Sequence, residues 1–317
     1  MNNTPYIDRG GEMVFAPPYL SEDIHHFSFA CGADSAKLQA ACDKYFNTPL
    51  GVKERFIPAG PFVLFVSANL PKLRATTPPY SEMGWFSESE MAIWMLVLDK
   101  EQTRFFWFVP YIWVDNPYAM VMGREVYGFP KAYGTIVMPT SFDAPDLFTL
   151  DTLAFRTYSP DQEIRSVRLL EIHRLPNVKM PHGVEGVWDD MKTFTAEIVR
   201  LMDDKLSLLG NLKVLFHGVE DLLELRIPTI FLKEIRDNTN PALAAFQSIV
   251  ETRAAVTKFH VGQIYSEAFE VQIEDCISHP IREEFGLAPS GPIRPDLSFS
   301  LHFDFEIGVA QQTIITG

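Results

Sequence analysis

Apolar and polar residues alternate near the end of this chain with a period of two. Leu297, Phe299, Leu301, Phe303, Phe305, Ile307 and Val309 are separated by Ser298, Ser300, His302, Asp304, Glu306 and Gly308. Successive side chains of a strand point to opposite faces. The stretch therefore predicts a strand with one face in a core and the other toward solvent or a polar interior. Shorter runs rich in Val, Ile, Phe, Trp and Met at 62–66, 91–98, 105–114, 118–122 and 135–138 predict further strands. Turn-forming groups, Asp115-Asn116-Pro117 and Asp143-Ala144-Pro145, punctuate them. Several short strands with short connections favour an antiparallel sheet curled on itself over alternating βαβ units.

Two stretches follow the helical period instead. Residues 34–46 predict a short amphipathic helix, with Asp34 or Ser35 as N-cap and Leu38, Ala41, Cys42 and Tyr45 on one face. Trp188, Met191, Ile198, Leu201, Met202 and Leu209 recur near the helical spacing, and Gly210-Asn211 supplies a stop signal. Residues 180–225 are therefore expected to form a helical insertion in one β-rich domain spanning 1–317.

Composition narrows the functional classes. The net charge is −14, and an acidic surface repels phosphate backbones, which argues against nucleic acid as a partner. Cys31, Cys42 and Cys276 are too few and too scattered for a disulfide framework, and are expected as buried small hydrophobes in a reducing compartment. The first residues have neither a basic stretch nor an apolar one, and the apolar run 105–114 is broken by Pro110. A cytoplasmic protein without a membrane partner is expected. No Gly-rich phosphate cradle and no nucleophile elbow occurs. The histidines show no zinc-binding spacing, and the adjacent pair His25-His26 would face opposite sides of a strand, so no metal is expected.

One segment does carry chemistry. Gly123-Arg124-Glu125-Val126-Tyr127-Gly128-Phe129-Pro130-Lys131 sets charged residues beside two glycines and a proline, between runs that read as buried. A charged lysine entering a buried strand must be desolvated, so it tends to pair, snorkel or lose its proton. A neutral amine in an apolar pocket is a nucleophile toward carbonyls. The residues alone leave open a strand-end lysine whose head reaches water.

Gly123-Arg124-Glu125 followed by Gly128-Phe129-Pro130-Lys131 resembles the signature of the acetoacetate decarboxylase family. The lead-in Val114-Asp115-Asn116-Pro117-Tyr118-Ala119 is similar to the family's approach to that motif. Gly84-Trp85-Phe86-Ser87-Glu88-Ser89 resembles the stretch that holds its active-site glutamate. The part from Ile230-Phe231-Leu232-Lys233 through the alternating strand also looks related. The resemblance implies an α+β fold, predominantly an antiparallel sheet closed into a cone or barrel. It implies that Lys131 forms a Schiff base with a small keto acid, that Glu88 orients the amine or shuttles protons, and that the protein is a homo-oligomer. No cofactor is then required, because the lysine nitrogen supplies the electron sink. Phe129, Arg124 and Glu125 are candidate substrate-binding residues, although Arg124 and Glu125 could instead form an ion pair beneath the site.

The chain departs from the family in two places. Ala132 stands where the decarboxylase has a second lysine. Acetoacetate decarboxylase is the standing example of an amine activated by desolvation or a neighbouring cation. A second ammonium ~7 Å away would contribute roughly 2 kcal/mol at an effective dielectric of ~20, less than burial can. Between Arg9 and Arg55 there is also no arginine to engage a substrate carboxylate; the matching region is Glu22-Asp23-Ile24-His25-His26. The reading is a carbon–carbon lyase, first a β-keto acid decarboxylase. The alternatives are an aldolase-dehydratase using the same lysine, or a non-catalytic binding barrel.

Overall fold

The apolar runs between turns form strands, and the computed structural model arranges them into one large mixed sheet. It describes residues 4–9, 14–180, 182–206 and 226–316. Seven strands form a ring: β1 (Tyr19–Gly32), β3 (Phe62–Ala75), β4 (Phe86–Asp99), β5 (Arg104–Val114), β10 (Arg226–Arg236), β11 (Ala244–Ile264) and β13 (Leu297–Ile307). Neighbours pair antiparallel except β5 and β10, which meet in parallel at Trp107 and Thr229. The pairing of β4 with β5 closes the ring. From the end of β5 the sheet continues as a wing: β6 (Lys131–Val137) parallel to β5, then β7 (Leu147–Ala154), β8 (Arg165–Lys179) and β12 (Glu267–Ile273), all antiparallel. Short β2 (Phe56–Pro58) flanks β4, while β9 (Gly186–Trp188) and β14 (Gln311–Thr316) flank β11.

The two faces of the ring have different tasks. Phe27 and Phe29 of β1 pack outward into the main core against Phe148 of β7, and Phe29 also meets Phe269 of β12. His26 and Ser28, one residue out of phase, face inward to a cavity. The alternating C-terminal strand behaves likewise. Phe299, Leu301, Phe303, Phe305 and Ile307 wall that cavity, and Val309 lies beyond the strand, exposed.

Helix α1 (Ser35–Cys42) forms as its capping residue dictates. The Asp34 carboxylate accepts from the amides of Ala36 and Lys37 at 2.9 and 3.0 Å, and Leu38, Ala41 and Cys42 are buried. Residues 118–122 are not the expected strand. They belong to helix α2 (Pro117–Met122), because Asn116 accepts from Tyr118 N at 2.9 Å as N-cap and Pro117 presets the first turn. In the third stretch, helix α3 (Met191–Leu206) buries Met191, Phe194, Ile198, Leu201 and Met202. Trp188 ends β9 rather than joining the helix, and Asp190 caps α3 by accepting from Thr193 N at 2.9 Å. Leu209 and Gly210-Asn211 lie outside the described residues. The three cysteines are buried free thiols. Among the described residues no helix is long and apolar enough to cross a membrane.

Candidate active site

The lysine motif folds as a helix end that turns back on itself. Helix α2 runs without a break into one wide π-turn (Gly123–Tyr127), which stops at Gly128 with φ +79°. A side chain there would be strained, and its Cβ would lie 2.5 Å from Lys233 Cβ and 2.8 Å from Lys233 Cα. Only glycine fits. Phe129 N then bonds back to Gly123 O at 3.1 Å, and Lys131 N to Phe129 O at 2.7 Å. Lys131 opens β6 opposite Ile112 of β5. Gly123 has a separate purpose. A Cβ on it would sit 2.7 Å from Lys131 Cδ and 3.1 Å from Cε, so the glycine is the space that the lysine stem occupies. Ala132, one residue on, turns to the opposite face and packs into the main core.

The partner of Lys131 comes from β4. Asp115 and Asn116, just after β5, pin the start of that strand. Asp115 accepts from Ser89 N at 2.8 Å, and Asn116 Nδ2 donates to Ser87 O at 2.8 Å. Glu88 between them is held inward. Lys131 Nζ donates to Glu88 Oε2 and Oε1 at 3.0 and 3.2 Å, with Lys131 7% and Glu88 3% exposed. Glu88 is therefore an interior partner, not a solvated loop carboxylate.

Glu90, two residues on and on the same face, was not among the expected site residues. It lines the cavity and is half-buried. Burial pushes its carboxyl up to about 7; the Lys131 charge opposes the rise and Glu88 adds to it. The signal was available, since carboxylates at i and i+2 of one strand must share a face. His26 also reaches the cavity, and burial pushes its imidazole down to about 4, so it is neutral near pH 7.

The cavity has a volume of about 290 Å³ and is walled largely by apolar side chains. Among the described residues Lys131 is its only lysine or arginine. Trp94 Nε1 and Thr229 Oγ1 are buried in its wall with no hydrogen-bond partner among those residues.

The other expected site residues divide. Phe129 does line the cavity, with its ring centroid 5.8 Å from Lys131 Nζ and 4.1 Å from that of Phe231. Arg124 and Glu125, expected beside substrate, do not. The π-turn leaves both exposed while Gly123 and Tyr127 face inward. Arg124 Nη1 instead donates to Lys131 O at 3.0 Å and so fixes the backbone of the lysine. Glu125 lies in a surface depression with Arg9 and hydrogen-bonds Tyr6, whose hydroxyl is thereby pushed up to about 12.

On the outer face His25 stacks on His302, which stacks on His260, with centroids 4.2 Å apart in each pair. Asp23, His25 and His302 bring ligand atoms within 4.8 Å of one another. Rings stacked this nearly parallel direct their in-plane lone pairs side by side rather than at one point. The arrangement does not support a metal centre.

Residues 52–168 match the family model described as Acetoacetate decarboxylase (ADC). The fold is similar to that of a solved acetoacetate decarboxylase, with TM-score 0.59 and 15% identity over 95% of this chain and 91% of that one. It is similar to acetoacetate decarboxylase from Legionella pneumophila at TM-score 0.58 and 12% identity, over 99% and 92% of the two chains. The enduracididine biosynthesis enzyme MppR, solved in complex with pyruvate, matches at TM-score 0.52 and 12% identity over 96% and 92%. No protein in the curated set matches the sequence.

Proposed function

We propose that this chain, acetoacetate decarboxylase-like by its family match and its fold, is a Schiff-base enzyme, a carbon–carbon lyase working through Lys131. The observation that carries the reading is the bidentate contact of the Lys131 amine with Glu88 inside a cavity walled largely by apolar side chains. An ammonium is not a nucleophile, so the first step is transfer of one proton from Lys131 to a carboxylate, and Glu88 is in contact to take it. The amine attacks the carbonyl carbon and forms the C–N bond. The carbonyl oxygen, twice protonated, leaves as water, and an iminium remains. That cation draws in the electron pair of a bond at the neighbouring carbon, and an enamine forms. Glu90, titrating near neutrality, is suited to accept the proton released at that carbon and to return it.

The two carboxylates favour aldol-type chemistry, in which the bond broken is C–H or a retro-aldol C–C bond. Decarboxylation of a β-keto acid is the second reading, supported by the names of the similar structures. It brings a third carboxylate beside Glu88 and Glu90, and each such like-charge contact at ~5 Å costs about 3 kcal/mol at an effective dielectric of ~20.

Exchange of ketone α-hydrogens in deuterated water, followed by mass spectrometry, tests the enamine common to both readings, and CO₂ release from acetoacetate set against condensation of a ketone with an aldehyde separates them. The expected result is exchange that disappears in Lys131→Ala and slows about 10²–10⁴-fold in Glu90→Gln. Release of CO₂ from acetoacetate, with no condensation product from ketone and aldehyde, would replace the aldol-type reading with decarboxylation. Neither reaction, with ketones still bound, would leave a binding barrel.

A further inference from the structure

We infer that the substrate is a neutral ketone or aldehyde carrying a long apolar chain, rather than a small keto acid. This inference rests on the Schiff-base reading of Lys131 and goes beyond it in naming what the cavity holds. The cavity is elongated. On β4 its wall runs from Glu88 and Glu90 through Trp94 to Leu96, and six residues of strand beyond Glu90 span roughly 20 Å. The register places Leu64 opposite Trp94 and Ala68 opposite Glu90, so β3 follows the same course. β13 contributes a parallel course of apolar wall from Phe299 to Ile307. The arm beyond the carboxylates is lined by Phe62, Leu64, Leu96, Phe299, Ile198 and Met202, with no charged group among them. An acid the size of pyruvate would fill only the neighbourhood of Lys131. The arm fits an alkyl chain.

Charge points the same way. Among the described wall residues the only cation is Lys131, already engaged by Glu88, and His26 is neutral. A substrate carboxylate would meet two glutamates and have no free cationic partner there, in surroundings that screen poorly.

Four carbonyl compounds separate length from charge: acetone, acetoacetate, 2-nonanone and 3-oxodecanoate. Borohydride capture on the full chain is followed by quantification of the Lys131 peptide. Expected is capture of 2-nonanone about a hundredfold or more above acetone, since each methylene in an apolar pocket is worth at least about tenfold. 2-Nonanone should also exceed 3-oxodecanoate, and Glu90→Gln should narrow that second gap. Equal capture of acetone overturns the chain. Equal capture of either acid overturns the neutrality. Calorimetric binding of 2-nonanol, which has no carbonyl, reads the cavity without the amine. Binding of the alcohol with no adduct from any ketone would refute the Schiff base while upholding the apolar occupant, and no binding of the alcohol overturns the inference.

Discussion

Glu90 makes the site sensitive to pH in a direction that follows from its surroundings. An exposed glutamate titrates near 4.3, whereas burial brings this one to about 7. Between those values the folded chain keeps a proton that the unfolded chain has released. Raising the pH through that window therefore erodes stability. The Lys131 charge holds the shift in check. Lys131→Ala should consequently lose more thermal stability at pH 8 than at pH 5, and an equal loss at both would show that Glu90 does not titrate there. In the active protein a rate that depends on Glu90 should change through about pH 7, and Glu90→Gln should remove that inflection. Gly123 permits a separate test of placement. A methyl group at Gly123 must displace the Lys131 stem, and a misplacement of ~1 Å can cost about 10²-fold in rate. Gly123→Ala should fold and lose about that much activity; full activity would show that the stem is free to move aside.

Asn116 links two elements with one side chain, capping α2 and holding the start of β4. Asn116→Ala should cost about 1 kcal/mol as a lost cap and should also loosen Glu88, so denaturant midpoint and rate fall together. Unchanged rate in a destabilised variant would separate the cap from the site. Asn116 and Pro117 also explain where the hydrophobic pattern misled. A five-residue apolar run such as 118–122 is compatible with strand or helix, and the capping residues before it decide. Alternation from Leu297 to Ile307 was legible because a strand's period is unambiguous. It reports only that one face leaves water, so it could not tell the wall of a cavity from a packed core. Lys131 and Glu88 were readable through the motif that carries them. Glu90 lay outside that motif and needed the pairing rule of strand faces. Arg124 and Glu125 looked like site residues because they sit inside the motif, but a π-turn directs them outward, and no local composition announces such a turn.

At the scale of the whole molecule, a ring of strands buries the Lys131 amine and sets carboxylates and hydrocarbon around it. The net charge of −14 adds a long-range repulsion for anions. Raising the ionic strength to ~0.15 M, where the Debye length is about 8 Å, should speed capture of 3-oxodecanoate and leave 2-nonanone unchanged. A salt response shared by both would place the discrimination elsewhere. The proposed chemistry depends on a single covalent bond at Lys131. It is tested most directly by reducing the protein with borohydride in the presence of 2-nonanone and weighing the peptide that contains position 131. That peptide should be heavier by the reduced ketone, and Lys131→Ala should stay unmodified. An adduct on any other lysine, or none on Lys131 at saturating ketone, would contradict it.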